Sequence, residues 1–319
     1  MRHLLDVEVL SDLQIARLLS LAEGYRAGDD VAAEPSLAGR HVALLFAEPS
    51  TRTRLSFELA ARRLGAATYV LDPGSSSMVK GETLVDTVRN LDALGFGYLV
   101  VRHHRAGAAA VAARYLLGGS VVNAGDGWHA HPTQALLDLF TLQSAFGGAG
   151  SLRGRKIAIV GDVRHSRVAR SNVWTLSRAG MDVWLSGPAS WLHGSEGLPA
   201  RVTTSLDEAL DGADAVMGLR VQKERMAVGV SVAEYIERYQ ITEARLARAA
   251  APGAFFLHPG PINEGVEVTR AVARGPRSLV LEQARNGVPV RMAVLASLVG
   301  PSGLEKAPSP VELREPALA

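Results

Sequence analysis

The sequence predicts an α/β protein of two doubly wound domains, each a parallel sheet with helices on both faces. Three observations predict it. Short apolar runs alternate with segments of helical period almost throughout. The alternation breaks at Gly147-Gly148-Ala149-Gly150 and then restarts. The 319 residues suit two cores of ordinary size.

The elements follow in chain order. His41 to Phe46 reads as a buried strand. Leu55 to Leu64 reads as a helix with Phe57, Ala60, Ala61 and Leu64 on one face and Gly65 closing it. Ala67 to Leu71 is the second strand, and Pro73 to Ser77 a polar loop. Leu84, Val88 and Leu91 mark a helix, Tyr98 to Arg102 a strand, and Val121-Val122 a short strand. Pro132 opens a helix to about Phe146, because proline suits a first turn. Beyond the glycines, Lys156 to Val160 is a strand and Arg167 to Ala179 a helix ended by Gly180. Asp182 to Leu185, Ala213 to Leu219 and Ala254 to Leu257 are further strands. Pro289 to Val299 reads as an apolar helix placed to pack back on the first domain. The four prolines from Pro301 onward predict partial disorder.

Composition removes several function classes. Lys and Arg number 34 against 32 Asp and Glu, a net charge of +2 without any basic block, which argues against nucleic acid as a partner. There is no cysteine, hence no disulfide, thiolate nucleophile or iron–sulfur ligation. No run approaches the length of a membrane span. Met1-Arg2-His3-Leu4-Leu5-Asp6 meets an acid before an apolar core, unlike a signal peptide, so a cytoplasmic protein is expected.

Ligands of such sheets bind beyond the carboxyl ends of the strands. After the first strand come Glu48-Pro49-Ser50-Thr51-Arg52-Thr53-Arg54 and a helix. A cap needs one hydroxyl and no cation, whereas three hydroxyls and two guanidiniums at a helix N-terminus suit a phosphate. The second strand leads to Ser75-Ser76-Ser77 and Lys80. That stretch fits a solvated loop, a lid or a reach into a neighbouring subunit. Arg102 ends the third strand as a second phosphate ligand. His103 and His104 follow it, and adjacent strand residues point to opposite faces, which argues against one shared metal. His131 just precedes a helix and Gln134 lies one turn into it, so both can face one ligand. An imidazole there can stabilise developing negative charge. His129 and His131 lack a third ligand of suitable spacing for zinc.

In the second half, Gly161 to Arg167 has one glycine where a dinucleotide site needs G-x-G-x-x-G, and offers cations instead. Leu219 to Arg225 offers more. His258-Pro259-Gly260-Pro261 exposes carbonyls suited to an amine or amide. The first half thus suits a phosphate and the second carboxylates. No Ser-His-Asp order, P-loop or HExxH is present, so catalysis by positioning and electrostatics is expected.

Six motifs together resemble the aspartate carbamoyltransferase family: FAEPSTRTR (46–54), SSMVKGET (76–83), HPTQALL (131–137), GDVRHSR (161–167), RVQKE (220–224) and HPGPINEGV (258–266). The match is collinear from about residue 3 to residue 300. STRTR and HPxQ alone would indicate only carbamoyltransferases in general. The resemblance implies transfer of the carbamoyl group of carbamoyl phosphate to L-aspartate, early in pyrimidine synthesis, with no metal or organic cofactor. It implies that Ser50, Thr51, Arg52, Thr53 and Arg102 hold the phosphate, and that Thr53, Arg102 and His131 polarise the carbonyl. Gln134 and the carbonyls of Pro259 and Gly260 would take the carbamoyl NH2, and Arg167, Arg220 and Gln222 the aspartate carboxylates. Ser76 and Lys80 would enter the site of an adjacent subunit in a homotrimer. Lys80 would contact both substrates there. Higher assembly with regulatory chains or a dihydroorotase stays open. The implied domains are 1–133 plus 288–319 for carbamoyl phosphate and 134–287 for aspartate. Domain closure is implied too, with the loop from Lys223 to about Tyr239 as the mover. Where many members have Arg after HPGPIN, Glu264 stands here. The ornithine-specific relatives carry a cysteine in HCLP and an SMG motif, both absent from this chain.

Overall fold

The computed structural model describes residues 1–28, 37–71, 74, 81–221 and 230–298. Two open parallel sheets make up the frame. The first contains β1 (His41–Phe46), β2 (Ala67–Leu71), β3 (Tyr98–His103) and β4 (Ser120–Asp126), in the order β2-β1-β3-β4. The second contains β5 (Lys156–Val160), β6 (Asp182–Ser186), β7 (Arg201–Thr203), β8 (Ala215–Gly218) and β9 (Phe255–Leu257), in the order β7-β6-β5-β8-β9. All pairings between these strands are parallel. The expected fold class is therefore observed.

Topology fixes where a ligand fits. In the first sheet the chain leaves β1 toward β2 and returns to its other side as β3, so the switch point lies between β1 and β3. Phe46 and Arg102 are register partners at that end. In the second sheet the switch lies between β5 and β8, where Val160 pairs with Gly218. Both crevices open on one cleft.

Several elements depart from the sequence expectation. The helix α1 (Asp12–Ala27) has no expected counterpart, although Ser11 and Gln14 form a full capping box at its start. The helix α2 (Thr51–Arg63) begins four residues before the expected Leu55. Its first turn faces the cleft and is polar, so apolar periodicity does not reveal it. β4 runs past Val121-Val122 to Asp126, fully buried. Its polar residues satisfy each other: Asn123 Nδ2 donates to Leu5 O at 2.9 Å and to Asp126 at 2.8 Å. α3 (Leu84–Ala93), α5 (Pro132–Phe146) and α6 (Arg167–Arg178) fall where expected, and α4 (Ala108–Tyr115) is additional. In the second half α7 (Ala189–Leu192), α8 (Leu206–Leu210), α9 (Val232–Tyr239), α10 (Glu243–Ala249) and α11 (Arg270–Ala273) are further additions. The expected tail from Pro301 lies outside the described residues.

The last helix, α12 (Val280–Ser297), starts well before Pro289 and holds that proline in its interior. It packs on α1, α2 and α5, as expected of a helix returning to the first domain. One apolar cluster consequently runs through both halves, from Leu44 and Phe57 through Leu136 and Leu295 to Ile157 and Leu185. Separate clusters cover the outer faces of the two sheets. No helix among the described residues is long and apolar enough to cross a membrane.

Phe57 is fully buried at the joint of α2 and α12, with the Arg291 guanidinium 4.9 Å above its ring. Phe57→Ala should cost about 3–5 kcal/mol of unfolding free energy, from lost transfer and an unfilled cavity. Urea unfolding measures this, and a loss under 1 kcal/mol would contradict the packing described.

Candidate active site

The cleft between the sheets has a volume of about 740 Å³. One wall is the N-terminus of α2. Ser50 is its N-cap in extended backbone, but its side chain makes no capping bond. The first-turn N–H groups have no intrahelical acceptor either, so hydroxyl, N–H and helix dipole together suit an anion. Thr51, Arg52 and Thr53 follow on the cleft wall.

Arg52 crosses the cleft and donates from Nη2 to the Pro259 carbonyl at 2.8 Å. Gly260, at φ +67°, makes room for it: a Cβ there would fall inside the guanidinium. The Pro259 carbonyl expected to take an amide thus already accepts one N–H, with a second lone pair left. The turn is held from behind, because His258 Nδ1 accepts the Gly260 N–H at 2.8 Å. Burial, with the charges of Arg52 and Arg220, drives the His258 pKa down to about 3.

A second wall pairs Arg102 from the end of β3 with Arg167 from the start of α6. Glu48 bridges them. Arg102 Nη2 donates to its carboxylate at 2.6 Å and Arg167 Nη1 at 3.0 Å, with Arg167 Nη2 also bonded to it. Burial opposes ionisation of Glu48, but the Arg167 hydrogen bond and the two arginine charges outweigh it and hold its pKa below the ordinary value. Burial and the charge of Arg167 lower the Arg102 pKa to about 10 against the pull of Glu48, so Arg102 remains cationic at neutral pH. Gly125, at φ +115°, lies beneath the pair: a Cβ there would sit 2.9 Å from Arg167 Nε and 3.0 Å from Arg102 Nη1.

His131 caps α5 and is buried between these walls. Its N–H donates to Ser171 Oγ at 2.9 Å, and its ring Nδ1 has no protein partner. Burial, then the charges of Arg102, Arg167 and Arg291, push its pKa well below 6.5, so the imidazole is neutral. Gln134, one turn on, donates from Nε2 to the buried Asp138 at 2.9 Å. Burial raises Asp138 to about 6, against hydrogen bonds from Gln283, Asn172 and Gln134. Arg291 is also sealed, and burial lowers it to about 9.

The second half adds Arg220, exposed at the end of β8. Behind it the buried Glu267 accepts from Val221 N at 2.7 Å, Asn263 N at 2.8 Å and Asn263 Nδ2 at 2.7 Å. It thereby ties the chain after β8 to the turn after β9. His165 pairs with Asp162 at 2.9 Å and meets the edge of Trp128 at 4.4 Å between ring centroids, at the cleft mouth.

The described residues to which the family resemblance gave a substrate role all line this cleft: Ser50, Thr51, Arg52, Thr53, Arg102, His131, Gln134, Arg167, Arg220, Pro259 and Gly260; Arg54, the second guanidinium expected at the helix start, does not. Ser76, Lys80 and Gln222 lie outside the described residues. So does the first part of the expected moving loop. Its second part is not a loop but α9, anchored by the fully buried Tyr235 between the rings of Trp191 and Tyr239. His103 and His104 do not point to opposite faces. Their rings stack 4.3 Å apart, because the strand ends at His103 and the chain bends. Glu264 is absent from the cleft wall and pairs with Arg274 Nη2 at 2.7 Å. Sequence reasoning assigned no role to Glu48, Asp138, His258, Gln283 or Arg291. For Glu48 a signal existed: an acid set directly before a cation-rich helix start.

Residues 2–144 match the family model of the aspartate/ornithine carbamoyltransferase carbamoyl-P binding domain, and residues 153–298 that of the Asp/Orn binding domain. The chain belongs to the aspartate/ornithine carbamoyltransferase family. Among carbamoyltransferases of this family, the aspartate carbamoyltransferase catalytic subunit of Thermus aquaticus is 50% identical over 303 residues, covering 94% of this chain and 98% of that one. That of Moorella thermoacetica is 45% identical over 304 residues, covering 94% and 97%. Among solved carbamoyltransferases, Trypanosoma cruzi aspartate transcarbamoylase with carbamoyl aspartate and phosphate superposes with a TM-score of 0.78 at 32% identity, covering 94% and 96%. Pyrococcus furiosus ornithine carbamoyltransferase superposes at 0.79 with 26% identity, covering 92% and 96%.

Gly125→Ala should push apart the two arginines that Glu48 gathers. The expected result is a folded protein whose affinity for inorganic phosphate, measured by calorimetry, falls about tenfold or more. In a second measurement, His131 ring resonances should stay unshifted between pH 8 and pH 5, because the folded protein refuses the proton. The unfolded chain takes that proton near pH 6.5, so the contribution of this residue to stability is lost as pH falls below that value. A His131 titration midpoint above 6 would contradict the site electrostatics.

Proposed function

We propose that this chain transfers the carbamoyl group of carbamoyl phosphate to the α-amino group of L-aspartate, giving N-carbamoyl-L-aspartate and phosphate, a step of pyrimidine synthesis. The carrying observation is the meeting, in one cleft, of an anion-ready helix start from one sheet with guanidiniums from both. Two anionic substrates need that charge. A cationic acceptor such as ornithine would meet Arg167 and Arg220 instead of a carboxylate.

In this reading Ser50, Thr51, Arg52 and Thr53 hold the phosphate with Arg102. Thr53, Arg102 and the neutral His131 stabilise negative charge on the carbonyl oxygen as the amine attacks. Gln134 and the carbonyls of Pro259 and Gly260 take the carbamoyl NH2. Arg167, Arg220 and Gln222 take the aspartate carboxylates. A carbon–nitrogen bond forms, the carbon–oxygen bond to phosphate breaks, and the proton from nitrogen leaves with phosphate. No metal or organic cofactor enters any step. The carbamoyl phosphate unit comprises 1–133 plus 288–319 and the aspartate unit 134–287.

The working unit is a homotrimer in the cytoplasm, with Ser76 and Lys80 of one copy serving the site of another. Supporting this, Tyr69 and Val70 on the edge strand β2 are exposed, and Ser76 and Lys80 come within about ten residues of that strand in the sequence.

Carbamoyl phosphate assays with L-aspartate and L-ornithine in parallel test the acceptor. Aspartate-dependent product is expected, and ornithine-only product would overturn the reading. Arg52→Ala should lower kcat/KM by about two to three orders of magnitude, and near-normal turnover would remove Arg52 from the site. Arg52→Ala and Lys80→Ala chains, each inactive, should regain activity when their subunits exchange. Confirmed exchange without recovery would rule out a shared site.

A further inference from the structure

We propose that Asp138 is a positioning residue: it fixes which end of the Gln134 amide faces the cleft, and so makes the site choose a carboxamide over a carboxylate beside the phosphate. The inference rests on the reading of Gln134 given above and extends it to a residue that touches no substrate.

Asp138 is fully buried on α5, one helical turn after Gln134. Three side-chain amides converge on it. Gln134 Nε2 reaches Oδ1 at 2.9 Å, Gln283 Nε2 reaches Oδ1 at 2.7 Å, and Asn172 Nδ2 reaches Oδ2 at 2.8 Å. The two ends of an amide have nearly the same shape, and only hydrogen-bond partners distinguish them. Two of the three are fixed independently of Asp138. Gln283 Oε1 accepts the His258 backbone N–H at 2.9 Å, and a backbone N–H can only donate. Asn172 Nδ2 also donates to the Val168 carbonyl at 3.1 Å, which can only accept. Gln283 and Asn172 therefore require both oxygens of Asp138 to act as acceptors.

Gln134 has no such second tether. Its orientation follows from Asp138 alone. An ionised carboxylate has no hydrogen to give, so Gln134 presents its NH2 inward and its Oε1 to the cleft it lines. An oxygen there accepts from a substrate NH2 and repels a substrate carboxylate. A site built to bond one NH2 discriminates strongly against the analogue lacking it. Through Gln283 the same carboxylate also steadies His258, and with it the turn that carries the Pro259 and Gly260 carbonyls.

Asp138→Asn keeps the shape and replaces one acceptor oxygen by a donor. The variant cannot serve three amide donors: its NH2 meets either Asn172 or, in the place of Oδ1, Gln134 and Gln283 together, and of these three Gln134 alone lacks a second tether and is free to invert. Phosphonoacetamide and phosphonoacetate differ at the group Gln134 reads, whereas inorganic phosphate lacks that group. Calorimetry on the full chain should show the wild type preferring the amide. In the variant that preference should fall about tenfold or more, with phosphate affinity held within about twofold. Adding Gln134→Glu should restore the preference, because one Glu oxygen accepts from the new Asn and the other faces the ligand. An unchanged preference in Asp138→Asn overturns the proposal. So does a parallel loss of all three ligands, which marks a merely structural role. A second measurement needs no variant. The Gln134 side-chain NH2, observed by NMR in glutamine-labelled wild type, should be protected from exchange without ligand, and rapid exchange overturns the orientation. Both readouts are independent of the acceptor. A chain that selects the amide yet fails to carbamoylate aspartate refutes the acceptor alone, and a wild type with no amide preference refutes this inference.

Discussion

Two guanidiniums from different sheets cannot share a buried space without a counter-charge, and Glu48 supplies it. Arg102 arrives at the end of β3 and Arg167 at the start of α6, and both bond the same carboxylate. The consequences spread outward. Arg102 stays charged although burial opposes it, and burial together with the charges of the two arginines keeps His131 neutral. Gly125 must lack a side chain because the pair lies directly over it. The carboxylate also means that the resting cleft already contains one anion. Under the proposed function, an incoming phosphate or carboxylate exchanges partners with Glu48 and does not meet bare cations, which limits the desolvation penalty on entry.

Beneath the charged wall lies a layer of buried polar groups that are fixed and not reactive. Asp138 gathers amides from α5, α6 and α12, and Glu267 gathers backbone and side-chain N–H groups from the turns after β8 and β9. Both carboxylates are strongly buried, and for both burial raises the pKa against their hydrogen bonds. Such groups are costly unless every lone pair has a partner, so they restrict neighbouring side chains to few arrangements. A mechanism that relies on positioning needs that restriction.

Local chemistry was readable in the sequence, and long-range pairing was not. β1 and β5 stand out as apolar runs, and α5 announces its start with Pro132. The Ser50 to Thr53 cradle and the His131–Gln134 pair were legible because each sits on a single helix start. Glu48 was legible only as an acid before a cation-rich helix start, since its partners are arginines 54 and 119 residues away. Asp138 and Gln283 meet across 145 residues and carry no local signal at all. The error over His103 and His104 came from extending strand alternation past the end of the strand. The late expected start of α2 came from reading apolar period where the helix faces a polar cleft.

The contact of α12 with α1 and α2 has a consequence for biosynthesis. The last described helix completes a core begun by the first. A ribosome adding about 5–20 residues per second leaves the early helices without that partner for on the order of tens of seconds. During that time the surface later covered by Val290, Val294 and Leu295 is open to solvent. The nascent first half is therefore the stage at which this chain most needs protection from its neighbours. Its maturation is tied to the synthesis of α12 and not to the emergence of its own sheet.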